Sequence, residues 1–363
     1  MDYKGRLDRL RMRMKLADCG VCALAPGSML KYFTGFTDDP LERLLLCLVT
    51  PDKDPVFVAP KLFVSQIRSE SPFGDVRPWG DTEGPLKTLA ATVKDARVRR
   101  GKVLVDEGMP LSAFFVLQAA LPDSEMVRGG EPMAELRILK DPEEVAAMKR
   151  AARIADGALA AVLERGIAGH TELEIALALK SEMLGRGAEA SSFEPIIGSG
   201  PNGAVGHHRP GQRRIGQGDA VIMDFGCRVD GYCSDVTRTV FCSSPPREME
   251  QVYEAVRCAQ EAAVKAVRVG VEAQDIDRIA NESVLASGMG DWHRTGHGIG
   301  LDVHEPPYIV KGNHRPLDGG MTFSVEPGIY LLGRFGVRVE DVVVVTATGQ
   351  EVMSGFTRSL VVC

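Results

Sequence analysis

A chain of 363 residues, 44% hydrophobic and 25% charged, is long enough for two domains with sizeable cores and has the composition of a soluble globular protein. Its net charge of −6 speaks against a broad nucleic-acid or anionic-membrane surface, and no apolar run approaches the length of a membrane span. Eight cysteines in a chain of this length do not make a disulfide framework, and the charged start MDYKGRLDRLRMRMKLADCG has no apolar signal core, so the expectation is a cytoplasmic protein with reduced thiols.

Leu7, Leu10, Met14 and Ala17 recur at helical spacing over residues 6–18. Apolar runs at 21–25, 44–49 and 55–59, interrupted by Pro and Gly, predict strands. Residues 85–97 and 111–121 predict helices around a buried strand from Lys102 to Asp106. This alternation predicts an α/β domain over residues 1–128 without site chemistry of its own. Within it, Cys19 and Cys22 form a lone CxxC that reads as buried thiols rather than a zinc or redox site, and Tyr32 to Phe36 reads as core plus turn. Residues 129–140, with Gly129-Gly130-Glu131-Pro132, read as a linker to a second domain over 141–363.

The second domain opens at a helix start, Asp141-Pro142-Glu143-Glu144, in which Asp141 can cap, Pro142 suits the first turn and Glu144 can close a capping box. That helix should stop at Gly166, and another should run from about Thr171 to Gly185–Gly187. A hairpin follows over Asp219–Cys242. Asp230-Gly231 is the favoured pair for a two-residue type I′ turn, where both central residues need φ > 0. Counting outward pairs Val229 with Tyr232 and Gly226 with Asp235, and sets Asp224 on the face of Asp235. Two such carboxylates either lie on a solvated face or raise each other's pKa until a cation neutralises them. The helix pattern then recurs: Pro245-Pro246 opens a helix to about Gly270, a second covers 273–287, and two or three strands reach Val345. Two helix–helix–sheet halves imply a pseudo-symmetric α+β domain with a cleft between the halves.

The second half supplies what can face the two aspartates. Gly296-His297-Gly298-Ile299-Gly300-Leu301-Asp302-Val303-His304-Glu305 sets two histidines in a glycine-rich stretch, where the glycines would let backbone approach a ligand. Alternation puts Glu326 on the polar face of MTFSVEPGIY, and Arg338 and Glu340 on one face of VRVEDVVVV. Asp224, Asp235, Glu326 and Glu340 carry a charge that two divalent ions would balance, with His297 adding a neutral nitrogen. Hard oxygens with one imidazole suit Mn²⁺ or Co²⁺, with Zn²⁺ as a further option.

These pieces, DFG with an aspartate eleven positions on, then GHGIGLDVHE, SVEPGIY and GVRVED in that order, resemble the Xaa-Pro peptidases of the M24 (pita-bread) metallopeptidases, aminopeptidase P and prolidase. The resemblance is strong from about residue 135 onward and looser before it, through KYFTGF at 31–36. It implies a creatinase-like α/β N-terminal domain and a pita-bread catalytic domain. It makes Asp224, Asp235, His297, Glu326 and Glu340 the ligands of two divalent metal ions, manganese first, with Asp235 and Glu340 bridging. Gly200 to His207 resembles the family segment that delivers a catalytic histidine, which makes that residue His207 and not His208. Gly206 and Gly203 stand where proline and serine are frequent. His304 would contact the substrate carbonyl, Glu326 would pass a proton to the leaving nitrogen, and Arg338 would pair with a ligand carboxylate. His170, His293 and His314 carry no such argument.

The activity implied is removal of the N-terminal residue from peptides with proline in second position by a cytoplasmic homodimer. Longer peptides are favoured over dipeptides, because no residue reads as a clamp for a dipeptide's carboxylate unless Arg338 or a basic residue of the N-terminal domain serves. Xaa-Pro dipeptidase is the alternative. Methionine aminopeptidase shares the ligand set but lacks an N-terminal domain of this size, and binding proteins or creatinase-like hydrolases of the same fold typically lose ligands.

Overall fold

The structure, a computed structural model, describes residues 1–95, 101–290 and 293–363. They form two compact units, Met1–Arg137 and Ile138–Cys363.

The first unit runs α1 (Tyr3–Leu16), β1 (Cys19–Leu24), α2 (Ser28–Thr34), β2 (Leu46–Val49), β3 (Val56–Pro60) and α3 (Val64–Glu70). It continues with β4 (Asp75–Trp79), α4 (Pro85–Asp95), β5 (Lys102–Val105), α5 (Leu111–Ala120), β6 (Glu125–Arg128) and α6 (Gly130–Arg137). The strands make one mixed sheet in the order β4-β3-β2-β1-β5-β6, antiparallel where β2 meets β1 and β3 and parallel elsewhere. Alternate residues Val21 and Ala23 of β1 pack with Leu46, Leu48, Val58 and Val103 into one core. The helix anticipated over 85–97 is described to Asp95, and its last two residues lie outside the described residues. Tyr32 to Phe36 is core, as its apolar content suggests, but its first residues close a helix that ends on Gly35 at φ +78°. Cys19 and Cys22 are buried on β1, burial raises both thiol pKa values, and all eight cysteines are free. Much of the stretch read as a linker is helical, as α6.

The second unit begins with α7 (Pro142–Glu164). Glu144 N donates to Asp141 Oδ1 and Asp141 N to Glu144 Oε2, both at 2.8 Å, which completes the capping box. Thr171 and Glu174 build the same device at α8 (Glu172–Gly185). Then come β7 (Ala190–Ser191), β8 (Ile196–Ser199), β9 (Ala220–Phe225), β10 (Cys227–Val229), β11 (Tyr232–Cys233) and β12 (Val236–Phe241). The second half repeats the plan with α9 (Arg247–Ala266), α10 (Ala273–Ala286), β13 (Gly296–Gly298), β14 (Glu305–Ile309) and β15 (Thr322–Val325). It ends with β16 (Gly328–Leu331), β17 (Phe335–Arg338), β18 (Glu340–Thr346), β19 (Gly349–Val352) and β20 (Val361–Val362). This is more strands than the two or three anticipated, because most are only three to five residues long and too short for alternation to stand out.

One large sheet takes the order β14-β13-β15-β18-β12-β9-β8, with β19 and β20 paired onto it. The halves meet where β12 runs antiparallel to β18, through Val236 opposite Asp341 and Thr237 opposite Glu340. The four helices cover one face: Val221, Met223 and Phe225 pack with α7 and α8, and Phe323, Val325 and Val343 pack with α9 and α10. Alternation therefore turns Asp224, Ser324 and Glu340 to the opposite face.

The hairpin is as anticipated. Val229 pairs with Tyr232 across Asp230 at φ +53° and Gly231 at φ +81°. The same register continues to Phe225–Val236 and Asp224–Thr237. Between these segments the ladder passes from the large sheet to the small sheet β11-β10-β7 at Gly226, where a Cβ would stand 1.9 Å from Ser234 O. Among the described residues no helix is long and apolar enough to cross a membrane.

Candidate metal centre

Five neighbouring strands each bring one titratable side chain to the face opposite the helices. In sheet order these are His297 on β13, Glu326 just after β15, Glu340 opening β18, Asp235 just before β12, and Asp224 on β9. Register accounts for the convergence. Thr237 lies opposite Asp224 on one side and Glu340 on the other, and Asp235 stands two residues before Thr237 on the same face. Val325 opposite Asp341 sets Glu326 beside Glu340. Gly298 opposite Phe323 sets His297 beside Ser324, whose Oγ accepts from His297 N at 3.0 Å and donates to Glu326 Oε1 at 3.1 Å.

His297 Nε2 lies 3.2 Å from Glu326 Oε1 and 3.7 Å from Asp235 Oδ2. Its Nδ1 is 3.1 Å from the carbonyl of Gly298, which can only accept. Nδ1 therefore carries a proton, and Nε2 is the ring atom turned to the carboxylates. One ligand atom each from Asp235, His297 and Glu340 lies within 4.8 Å of the other two.

Three carboxylate oxygens here, Asp224 Oδ1, Asp235 Oδ1 and Glu340 Oε1, are buried without a hydrogen-bond partner among the described residues. Burial, then the charges of Glu340, Asp224 and Glu326, hold Asp235 well above the ordinary carboxylate range. Burial, then Glu326 and Asp224, do the same to Glu340. Burial raises Asp224 against the opposing pull of Arg338. Glu326 differs: burial pushes it up, but the hydrogen bond and charge of His297, with Arg338 and Ser324, bring it down to about 2. Orphaned acceptors, crowded like charges and an available imidazole nitrogen fit divalent cations, which would satisfy the oxygens and cancel the repulsion.

Arg338 is buried and fully engaged. It donates from Nη2 to Asp224 Oδ2, from Nε to Thr237 Oγ1 at 3.2 Å, and from Nη1 to Tyr330 Oη at 2.9 Å and Gly206 O at 3.2 Å. Thr237 Oγ1 in turn donates to Glu340 Oε2 at 2.6 Å. Thr237 and Tyr330 are absent from the sequence reading. Thr237 was within reach of alternation from Asp235. Tyr330 was not, because it reaches Arg338 only through the pairing of β16 with β17.

The ring of His304 stands 4.0 Å from that of His297 at the exposed edge of the cluster. Burial, then the charges of His297, Arg294 and His207, lower its pKa to about 4. His207 is exposed, on the segment whose Gly206 carbonyl accepts from Arg338. His208 instead points to Glu172, at 2.8 Å. His170 and His314 sit 3.8 Å and 3.0 Å from Glu174 and Glu272, away from the cluster. The Nε2 of His293 lies 3.0 Å from both the backbone N and the O of Gly328, two residues beyond Glu326.

One expectation is corrected by the backbone. The glycines around His297 do not open room for a ligand. A Cβ on Gly296 would stand 1.9 Å from Ser324 O, and one on Gly298 would stand 2.3 Å from Glu305 O. They allow β13 to press against β15 and the β14 segment, which is what brings the His297 ring over Glu326.

Comparison with known proteins agrees with this geometry. The profile of metallopeptidase family M24 matches residues 146–347, and that of the creatinase/prolidase N-terminal domain matches residues 6–139. The Xaa-Pro dipeptidase of Lactobacillus helveticus is 33% identical over 94% of this chain and 95% of its own. The crystal structure of a Thermococcus sibiricus prolidase superposes with a TM-score of 0.95 at 38% identity, covering 100% of both chains. That of a Thermotoga maritima X-Pro aminopeptidase gives 0.87 at 31%, covering 97% of this chain and 100% of that one. The creatinase-type N-terminal domain, the pita-bread fold of the second unit and its converging carboxylates make this chain a hydrolase that belongs to metallopeptidase family M24.

Proposed function

We propose that the chain is an Xaa-Pro dipeptidase, cleaving the bond between an N-terminal residue and a C-terminal proline, with Asp224, Asp235, His297, Glu326 and Glu340 holding two divalent ions. The observation that carries this reading is the end-to-end match to proteins named Xaa-Pro dipeptidase and prolidase. It replaces the longer-peptide preference drawn from sequence, which rested on finding no clamp for a dipeptide's carboxylate. Arg338 does not fill that role, because its guanidinium is committed to Asp224, Thr237, Tyr330 and Gly206. Arg294 supports it better: it is exposed, its charge reaches His304, and its guanidinium lies 5.8 Å from the Tyr308 ring centroid.

Bound ions would supply Lewis-acid polarisation of the scissile carbonyl and a nucleophile at neutral pH. The protein's own groups do the rest. Glu326, ionised well below neutral pH, is placed to accept a proton and return it to the departing proline nitrogen, which has no N–H of its own in the substrate. His304, neutral above about pH 4, can donate one N–H to the oxygen that gains charge, and His207 is the second candidate donor. Arg338 fixes Asp224, and Thr237 fixes Glu340. The manganese preference, the homodimer and the cytoplasmic location implied by the resemblance belong to the same proposal.

The test is kcat/KM for Xaa-Pro, Xaa-Pro-Yaa and Met-Ala-Yaa under one metal condition. The dipeptide should lead, and Arg294→Ala should raise its KM about tenfold while leaving the tripeptide's within twofold. Preference for Xaa-Pro-Yaa would restore the aminopeptidase reading, and preference for Met-Ala-Yaa would make the chain a methionine aminopeptidase.

A further inference from the structure

We propose that Glu172 is a positioning residue for His207, its buried carboxylate anchoring the 199–211 segment that carries His207 past the Arg338–Asp224 pair. Glu172 is the first residue of α8 and is 0% exposed. The helix start does not need it, because Thr171 and Glu174 already satisfy that end: Thr171 N donates to Glu174 Oε2 at 2.7 Å and Glu174 N to Thr171 Oγ1 at 3.1 Å. The Glu172 carboxylate is spent on five hydrogen bonds from a single stretch of chain. Oε1 accepts from Ser199 N at 2.9 Å, Ser199 Oγ at 2.7 Å and Asn202 Nδ2 at 3.0 Å. Oε2 accepts from the His208 ring at 2.8 Å and Gly211 N at 3.3 Å. Burial alone would raise its pKa, and the bonds from Ser199, His208 and Asn202 outweigh burial and lower it, which keeps the group an acceptor.

These contacts bracket His207. Asn202 is held on one side and His208 on the other, and because the Glu172 carboxylate can only accept, His208 Nε2 is the donor. A second set of contacts fixes the same segment elsewhere. Gly206 O accepts from Arg338, and the backbone of Gly203 lies so close to Gly336 that a Cβ there would stand 2.1 Å from Gly203 O. The residues on either side of His207, Gly206 and His208, are thus both held while its own side chain stays exposed. A charged hub with five donors is a costly way to hold an ordinary loop, since burying a carboxylate requires near-complete hydrogen bonding. It is a fitting way to fix the backbone that carries one imidazole.

This inference rests on the Xaa-Pro dipeptidase reading for its activity assay. The experiment is a double-mutant cycle of Glu172→Gln and His207→Ala on the full-length, metal-loaded enzyme, with metal content and amide exchange of residues 199–211 measured alongside. Glu172→Gln should lower kcat at least tenfold with KM within twofold and two metals still bound, and should speed exchange across 199–211. In the His207→Ala background the same change should cost less than twofold, because Glu172 acts through His207. His208→Gln, which loosens one partner on a partly exposed side chain, should show a smaller kcat loss with the same non-additivity and serves if Glu172→Gln does not fold. Multiplicative losses, unchanged kcat or unchanged exchange would each overturn the proposal. A wild-type enzyme inactive on Xaa-Pro dipeptides would instead overturn the dipeptidase reading and leave the exchange measurement to judge Glu172.

Discussion

Asp235 sits where a charge is disfavoured in the absence of a cation. One of its oxygens has no hydrogen-bond partner among the described residues, and Glu340, Asp224 and Glu326 all repel it. Asp235→Asn should therefore stabilise chelator-stripped protein at pH 7.5, by about 2–4 °C if about 1 kcal/mol of repulsion is relieved, while abolishing two-metal loading and turnover. Calorimetry of stripped protein and elemental analysis of reloaded protein check both halves, and a lower melting temperature in the stripped variant would refute the argument. Glu172 has the opposite sign. Its folded pKa is lowered, so its contribution is complete above the unfolded value of about 4.3 and is lost as pH falls through the folded value. Glu172→Gln should be less stable than wild type at neutral pH, with the gap closing below about pH 4. A gap that persists undiminished in acid would mean the charge is not what matters.

The elements show how much the sequence could reveal. Asp-Gly at 230–231 and strict alternation were enough to place Asp224 and Asp235 on one face, because a two-residue turn leaves the register no freedom. The capping box at Asp141 was legible because its partners are three residues apart. What was hidden depends on pairing between distant strands. Tyr330 meets Arg338 only through the β16–β17 ladder, and Glu172 looks like one more first-turn acid until β8 and the following loop fold over it. Arg238 was hidden in the same way. On the helix side of β12, 1% exposed, it lies 2.8 Å from Asp341 Oδ1 and donates to the carbonyls of Glu340 at 2.6 Å and Thr357 at 2.8 Å. Asp341, 0% exposed, also accepts from Gln260 at 2.9 Å. Arg358 also donates to Asp341 at 2.5 Å, so the carboxylate keeps one cation when Arg238 is removed; Arg238→Met should still cost about 3 kcal/mol, the low end for breaking a buried pair, and pairing it with Asp341→Leu should recover part of that. Urea unfolding midpoints of the two variants decide; equal losses in single and double would show that the pair is not the source.

For the molecule as a whole, metal and fold should be linked. Ions that bind only the folded chain raise its stability by about 2.7 kcal/mol for each site filled at a hundred times its dissociation constant. Chelation should lower the melting temperature, and Mn²⁺, Co²⁺ or Zn²⁺ should restore it; Asp235→Ala or Glu340→Ala should respond far less. Protons compete for the same ligands, so excess Mn²⁺ should recover part of the activity lost on mild acidification, and an acid limb indifferent to metal would assign that limb to another group. The junction of β12 with β18 adds a mechanical consequence. The two halves share only two residue pairs there, Val236–Asp341 and Thr237–Glu340, and the carboxylates of Asp235 and Glu340 hang at its end. A cation gripped by both would act as a removable rivet between the halves, closing a long loop of chain much as a disulfide does. The seam should therefore be held more tightly when loaded than when stripped, read as faster amide exchange along β12 and β18 after chelation.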